Sequence, residues 1–133
     1  MSTKLVFFTK KSIAQNIHNY ITQLVNTEHN DSSKSPIIGY KRKEFPYKFA
    51  TLHGGRSYQS LILHVDPGNR STTRGKDFQK RIQSELAFDI VAIRKHVIKS
   101  NEVYIPLEML LNENSIDTIK QFILYAYHQD KLN

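Results

Sequence analysis

Apolar side chains at Ile13, Ile17, Tyr20, Ile21, Leu24 and Val25 recur at steps of three and four, which lays one stripe along a helix. Ser12 with Gln15 three residues later matches a capping box, so the helix is expected to start there and run to about Thr27. Ahead of it, Leu5-Val6-Phe7-Phe8 reads as a short strand. His18 falls among the polar positions of the helix and is expected in solvent. The run Glu28 to Pro36 holds no apolar residue and is rich in turn formers, which predicts a mobile loop.

Three segments of strand composition follow: Ile37-Ile38-Gly39-Tyr40, Tyr47 to Leu52, and Leu61 to Val65. The second and third are expected to form a hairpin through His53-Gly54-Gly55-Arg56, with the glycines supplying positive φ. Asp66 to Lys76 is a polar loop leading into a helix capped by Asp77, with Phe78, Ile82 and Leu86 facing inward. Ile90, Val91, Ile93, Val97 and Ile98 fit either a buried strand or a continued helix, and the strand is preferred here. Glu102 to Ile105 is another short strand stopped by Pro106, and Leu107 to Leu111 makes a helical turn. A last helix starts near Ser115 with Ile116, Ile119, Phe122, Ile123 and Tyr127 on its inner stripe. The pattern predicts a single α+β domain with a mainly antiparallel sheet and helices packed on one face, the Ser12 and Ser115 helices covering it. Within it, residues 1–28 form a strand-helix unit, 29–36 the mobile loop and 37–133 a sheet-rich core.

A length of 133 residues excludes two full-size domains, and 39% hydrophobic residues with seven Tyr and seven Phe are enough to form one core. Charge adds more. The chain carries +7, but residues 38–99 hold thirteen basic and five acidic side chains, a net of +8, while the two ends sum to −1. Such a local positive field concentrates anions within about a Debye length, ~8 Å in physiological salt. The absence of cysteine excludes disulfides, thiol nucleophiles and Cys-ligated metal sites, and fits a reducing, cytoplasmic setting. The Leu5–Phe8 run is too short for a signal-peptide core or a membrane span, so no membrane partner is expected.

The candidate binding residues are Lys41, Arg42, Lys43, Lys48, Arg56, Arg70, Arg74, Lys76, Arg94, Lys95, His96 and Lys99, with Tyr40, Tyr47 and Tyr58 interleaved as stacking or core aromatics. Gly68 to Lys76 sits between a strand and a helix as a phosphate-binding loop would. Six residues stand between its glycines rather than four, and Asp77 follows the Lys where Ser or Thr is needed, so nucleotide hydrolysis is not expected. His53, His64 and His96, with Asp66 and Asp89, are the residues available for acid-base chemistry, but none has a metal-site or nucleophile-elbow spacing. The residues therefore imply no cofactor and no metal.

Phe49-Ala50-Thr51-Leu52, Leu61-Ile62-Leu63 followed by Asp66-Pro67, Lys95-His96, and a terminal helix ending near Tyr127 together resemble the MmcQ/YjbR-like proteins over residues 37 to 128. A related family of unknown-function domains is similar over the same stretch, through Ile38-Gly39-Tyr40-Lys41 and Ile119 to Tyr127. Val97 stands where those proteins carry Trp after the Lys-His pair, and the first 35 residues lie outside the likeness. The resemblance implies a small antiparallel α+β unit of a kind commonly described as DNA-binding, and it contributes no catalytic residue. The expected function is a binding module that neutralises nucleic-acid phosphates with little base reading. The alternatives are an adaptor or inhibitor that meets an acidic protein, and a small enzyme using one of the histidines.

Overall fold

The computed structural model describes residues 3–30, 35–55, 59–93, 99–110 and 112–128. Its strands are β1 (Thr27–His29), β2 (Ile37–Arg42), β3 (Lys48–His53), β4 (Ser60–His64) and β5 (Glu102–Pro106). They pair in chain order, each antiparallel to the next. The helices are α1 (Lys11–Thr22), α2 (Arg74–Leu86), the single turn α3 (Ile90–Ile93) and α4 (Glu113–His128), with 3-10 turns at Thr3–Phe7 and Leu107–Met109. The chain is one α+β domain with a five-stranded antiparallel sheet.

Directly opposed residues in antiparallel strands share a face. The rows Ile38–Leu52–Leu61–Ile105 and Tyr40–Ala50–Leu63–Val103 therefore point to one side, where all eight are buried. There they meet Ala14, Ile17 and Ile21 of α1 and Ile119, Phe122, Ile123 and Tyr127 of α4 in the main core, as the two helical stripes require. Each such Leu or Ile contributes roughly 1.5–3 kcal/mol on burial. The row Gly39–Thr51–Ile62–Tyr104 points the other way, where Ile62 and Tyr104 pack with Ile90 and Phe88, and the Lys48 chain lies over Gly39.

A bulge divides the two faces at the start of β3. Tyr40 pairs with Ala50 but Lys41 pairs with Lys48, so Phe49 is the extra residue. Phe49 joins the core, edge-on to Tyr127 at 5.4 Å between ring centres. Lys48 is thereby turned to the opposite face, where its chain lies so close over Gly39 that a Cβ there would stand 2.6 Å from Lys48 Cε.

The free edge of β5 is closed by α2. Gln79 donates from Nε2 to the Tyr104 carbonyl at 2.9 Å and accepts the Tyr104 N–H on Oε1 at 2.7 Å, imitating one rung of a missing strand. Gly75, one turn earlier, lets α2 approach the lead-in to β5: a Cβ would sit 2.2 Å from the Ser100 carbonyl oxygen. The opposite edge, β1, is short and polar, with Glu28 and Lys41 opposed in register and ion-paired at 3.1 Å.

Several expectations are corrected. Leu5 to Phe8 is no strand: Thr3–Phe7 is a 3-10 turn in which Leu5 and Phe8, three apart, are buried while Val6 and Phe7 are exposed. The capping box does not form; α1 begins at Lys11 without a side-chain cap, Gln15 bonds Asn19 instead, and the helix ends at Thr22. His18 is not solvated but 4% exposed, its Nδ1 2.7 Å from the buried Tyr40 hydroxyl. Residues 27–29, expected at the junction of helix and loop, form β1. Neither Gly54 nor Gly55 has positive φ; Gly54 is required instead by crowding from the Phe8 ring and the Pro36 carbonyl, each about 3 Å from where a Cβ would lie. Helix α2 is preceded by Thr73 rather than Asp77, which lies in its first turn and favours the positive end of the dipole. Residues 90–93 are helical rather than extended, with Asp89 Oδ1 accepting the Val91 N–H at 3.0 Å.

Candidate functional site

The antiparallel order brings the end of β2, the start of β3, the end of β4 and the start of β5 to one end of the sheet. Lys41, Arg42, Lys43 and Lys48 belong to the β2–β3 connection and its flanks. Arg70, Arg74 and Lys76 lie on the loop after β4 and the first turn of α2, and Lys99 precedes β5. Eight of the twelve expected cations thus reach that end, while Arg56, Arg94, Lys95 and His96 lie outside the described residues, as does Tyr58.

The three segments touch. A Cβ on Gly68, at φ +85°, would meet the Tyr47 ring at 2.9 Å, and Ser100 Oγ donates to the Arg70 carbonyl at 3.1 Å. The loop after β4, polar as the sequence indicates, is held from within. Asp66, at φ +49°, accepts from Thr72 Oγ1 and from Arg74 Nη1, both at 2.7 Å, and Asn69 Oδ1 accepts the Ser71 N–H at 3.0 Å. Left-handed backbone at a non-glycine residue persists only where surroundings hold it, and here two charge-assisted hydrogen bonds do so.

The cations divide into two kinds. Lys41 is paired with Glu28 and hydrogen-bonded to the Phe45 carbonyl at 3.2 Å, and Arg74 is tied to Asp66. Arg42 lies between two rings, its guanidinium carbon 4.7 Å from the Phe45 centre and 4.8 Å from that of Tyr127. Lys43, Lys48, Arg70, Lys76 and Lys99 are exposed, and among the described residues their side chains make no hydrogen bond or ion pair.

Between these segments opens a cavity of about 380 Å³. Phe49, Ala126 and Tyr127 line it on the core side, and Phe45, Pro46, Tyr47, Pro67 and Asn69 line it on the loop side; Arg42 and Asp66 supply charge, while Lys48 borders it with its amine directed away over Gly39. Tyr47 is 53% exposed, whereas Tyr40 is wholly buried, so of these two tyrosines only Tyr47 is placed to stack on a ligand.

On the face of the sheet away from the main core, at the same end, a chain of polar side chains runs across three strands. Thr51 Oγ1 lies 2.9 Å from His64 Nε2, His64 Nδ1 is 3.4 Å from Glu102 Oε2, and the Tyr104 hydroxyl donates to Glu102 Oε1 at 2.6 Å. The hydrogen bond from His64, with that from Tyr104 and the charges of His64 and Lys99, holds the Glu102 carboxyl at about 2 against the opposing effect of burial. A hydroxyl, an imidazole and a carboxylate in this order form a proton relay in outline. However, Thr51 is only 6% exposed, and none of the three lines the cavity at the sheet end. The arrangement ties β3, β4 and β5 together. His53, the other described histidine singled out from the sequence, accepts the Gly55 N–H on Nδ1 at 3.0 Å at the far end of β3. Among the described residues, no three His, Asp or Glu side chains are gathered to hold a metal, and no helix is long and apolar enough to cross a membrane.

Phe45, Tyr127, Thr51, Glu102 and Tyr104 are not among the site residues that the sequence indicates. His64 and Glu102 are opposed through the β4–β5 register, which no local spacing discloses. Tyr127 carries a core signal that hides its second role as a cavity wall. No family model, no curated protein and no solved structure matches the chain.

Proposed function

We propose that this protein binds the phosphate backbone of nucleic acid at the cationic end of its sheet. The observation that carries the reading is the arrival of Lys43, Lys48, Arg70, Lys76 and Lys99 on three segments that touch one another, with their charges uncompensated by ion pairs among the described residues. Fields from neighbouring cations add within a Debye length, and phosphates are the repeating anion best suited to a spread of flexible ammonium and guanidinium groups. Glu28 and Asp66 are paired with Lys41 and Arg74, and the other carboxylates of this end, Glu44, Asp77 and Glu102, are fewer than its five exposed cations.

The test is anisotropy of labelled single-stranded and duplex oligonucleotides at low salt. The wild type is expected to bind, and Lys43→Glu/Lys48→Glu/Arg70→Glu/Lys76→Glu to lose binding. Lys10→Glu/Lys11→Glu should retain it, because these lysines follow Thr9, which is anchored to Gln59 at the opposite end of the sheet. Absence of binding to either oligonucleotide rejects the reading, and capture of one acidic protein that survives nuclease treatment would then favour a protein partner.

A further inference from the structure

We infer that the cavity at the sheet end seats one unpaired nucleobase, so that the preferred ligand is a single strand rather than a duplex. This rests on the phosphate-binding reading and adds to it a reason for base contact. The cavity has the required character: its inner wall is aromatic, the Arg42 guanidinium lies between the Phe45 and Tyr127 rings, and Tyr47 stands half-exposed at the rim. At about 380 Å³ it admits a planar heterocycle with room for water.

Its rim is rigid where a ligand would need it. Gly68, at φ +85°, supports the Tyr47 ring so closely that no side chain fits between them, and Asp66 is held left-handed by Thr72 and Arg74. Arg70 stands one residue beyond the lining Asn69, and Lys48 borders the cavity with its amine carried over Gly39 on the other face of the sheet. A base placed inside would therefore have its own phosphates near cations, with the strand continuing over Lys43 and Lys76. A base locked in a duplex presents only its edge and cannot enter. Stacking on an aromatic ring tolerates any base, so the cavity predicts preference for unpaired strands with little sequence preference.

The experiment compares an oligothymidine of about a dozen nucleotides with a strand of equal length in which every base is replaced by an abasic tetrahydrofuran unit. The two present the same phosphates. Oligothymidine is expected to bind the wild type about 10-fold more tightly, the scale of one aromatic–base contact. Tyr47→Ala should bring oligothymidine down to the abasic level without changing abasic affinity, and Tyr47→Phe should retain the difference. Equal affinity for the two strands, or a Tyr47→Ala variant that still tells them apart, would overturn the base-seating cavity and leave phosphate binding standing. Failure of both strands to bind would remove both proposals.

Discussion

Replacing Gln79 by Leu should expose how the sheet is closed at β5. The substitution keeps side-chain bulk but removes the donor and the acceptor that satisfy the carbonyl and N–H of Tyr104 at 2.9 and 2.7 Å. Gln79 is 5% and Tyr104 7% exposed, so water has little access to replace either bond. Each buried group left unpaired costs about 1–3 kcal/mol, giving for the two a loss of roughly 2–6 kcal/mol in a domain whose total stability is of order 5–15. Urea unfolding reads this as a fall in midpoint of about 1–3 M at unchanged slope, for a slope of about 2 kcal/mol/M. Amide exchange at Tyr104 should accelerate at the same time. A variant within about 0.5 kcal/mol of wild type, with the Tyr104 amide still protected, would refute the edge-closing role.

Further outcomes follow from single positions. Gly75→Ala gains helix propensity but forces α2 off the Ser100 carbonyl, and a net destabilisation of about 2–3 kcal/mol in urea unfolding is expected. Ala87 ends α2 at φ +57°, where glycine has no Cβ penalty, so Ala87→Gly should raise stability by about 0.5 kcal/mol despite the added freedom of the unfolded chain; a lower melting temperature would count against this. For Glu102 the folded value of about 2 lies below the ordinary 4.5, so its contribution is present above about pH 4.5 and is lost as pH falls towards 2. With discount for solvent near the carboxylate, that contribution is about 1–2 kcal/mol. Glu102→Gln should accordingly flatten the loss of stability between pH 4.5 and 2, and an unchanged acid limb would show that the relay does not stabilise the sheet.

The helices legible in the sequence are those whose burial has a period. The α1 and α4 stripes emerge in this way, whereas β2 to β5 emerge as short runs of strand-forming residues, of which β3, β4 and β5 are each buried at four consecutive positions. β1 does not, because Thr-Glu-His at an edge buries nothing and is held by backbone pairing and the Glu28–Lys41 pair. His18 was misplaced for a related reason: a polar side chain on the inner side of a helix is legible only when its partner, here Tyr40 on another element, is known. The clustering of cations was half legible. Their place in the chain fixes the charged segments, but only the order of strands brings residues 41–48, 70–76 and 99 to the same end. The cavity depends on contacts such as Tyr47 on Gly68 that no periodicity encodes.

The most direct measurement is the salt dependence of oligonucleotide affinity. Lys43, Lys48, Arg70, Lys76 and Lys99 each displace counterions when they reach a phosphate, so log K should fall with log salt at a slope of about −3.5 for single strands and about −4.5 for duplex. In Lys43→Gln/Lys76→Gln, which leaves the cavity lining intact, either slope should become shallower by about 1.5–2. A slope near zero in the wild type, or one unchanged by those two substitutions, would contradict a phosphate-binding end of the sheet.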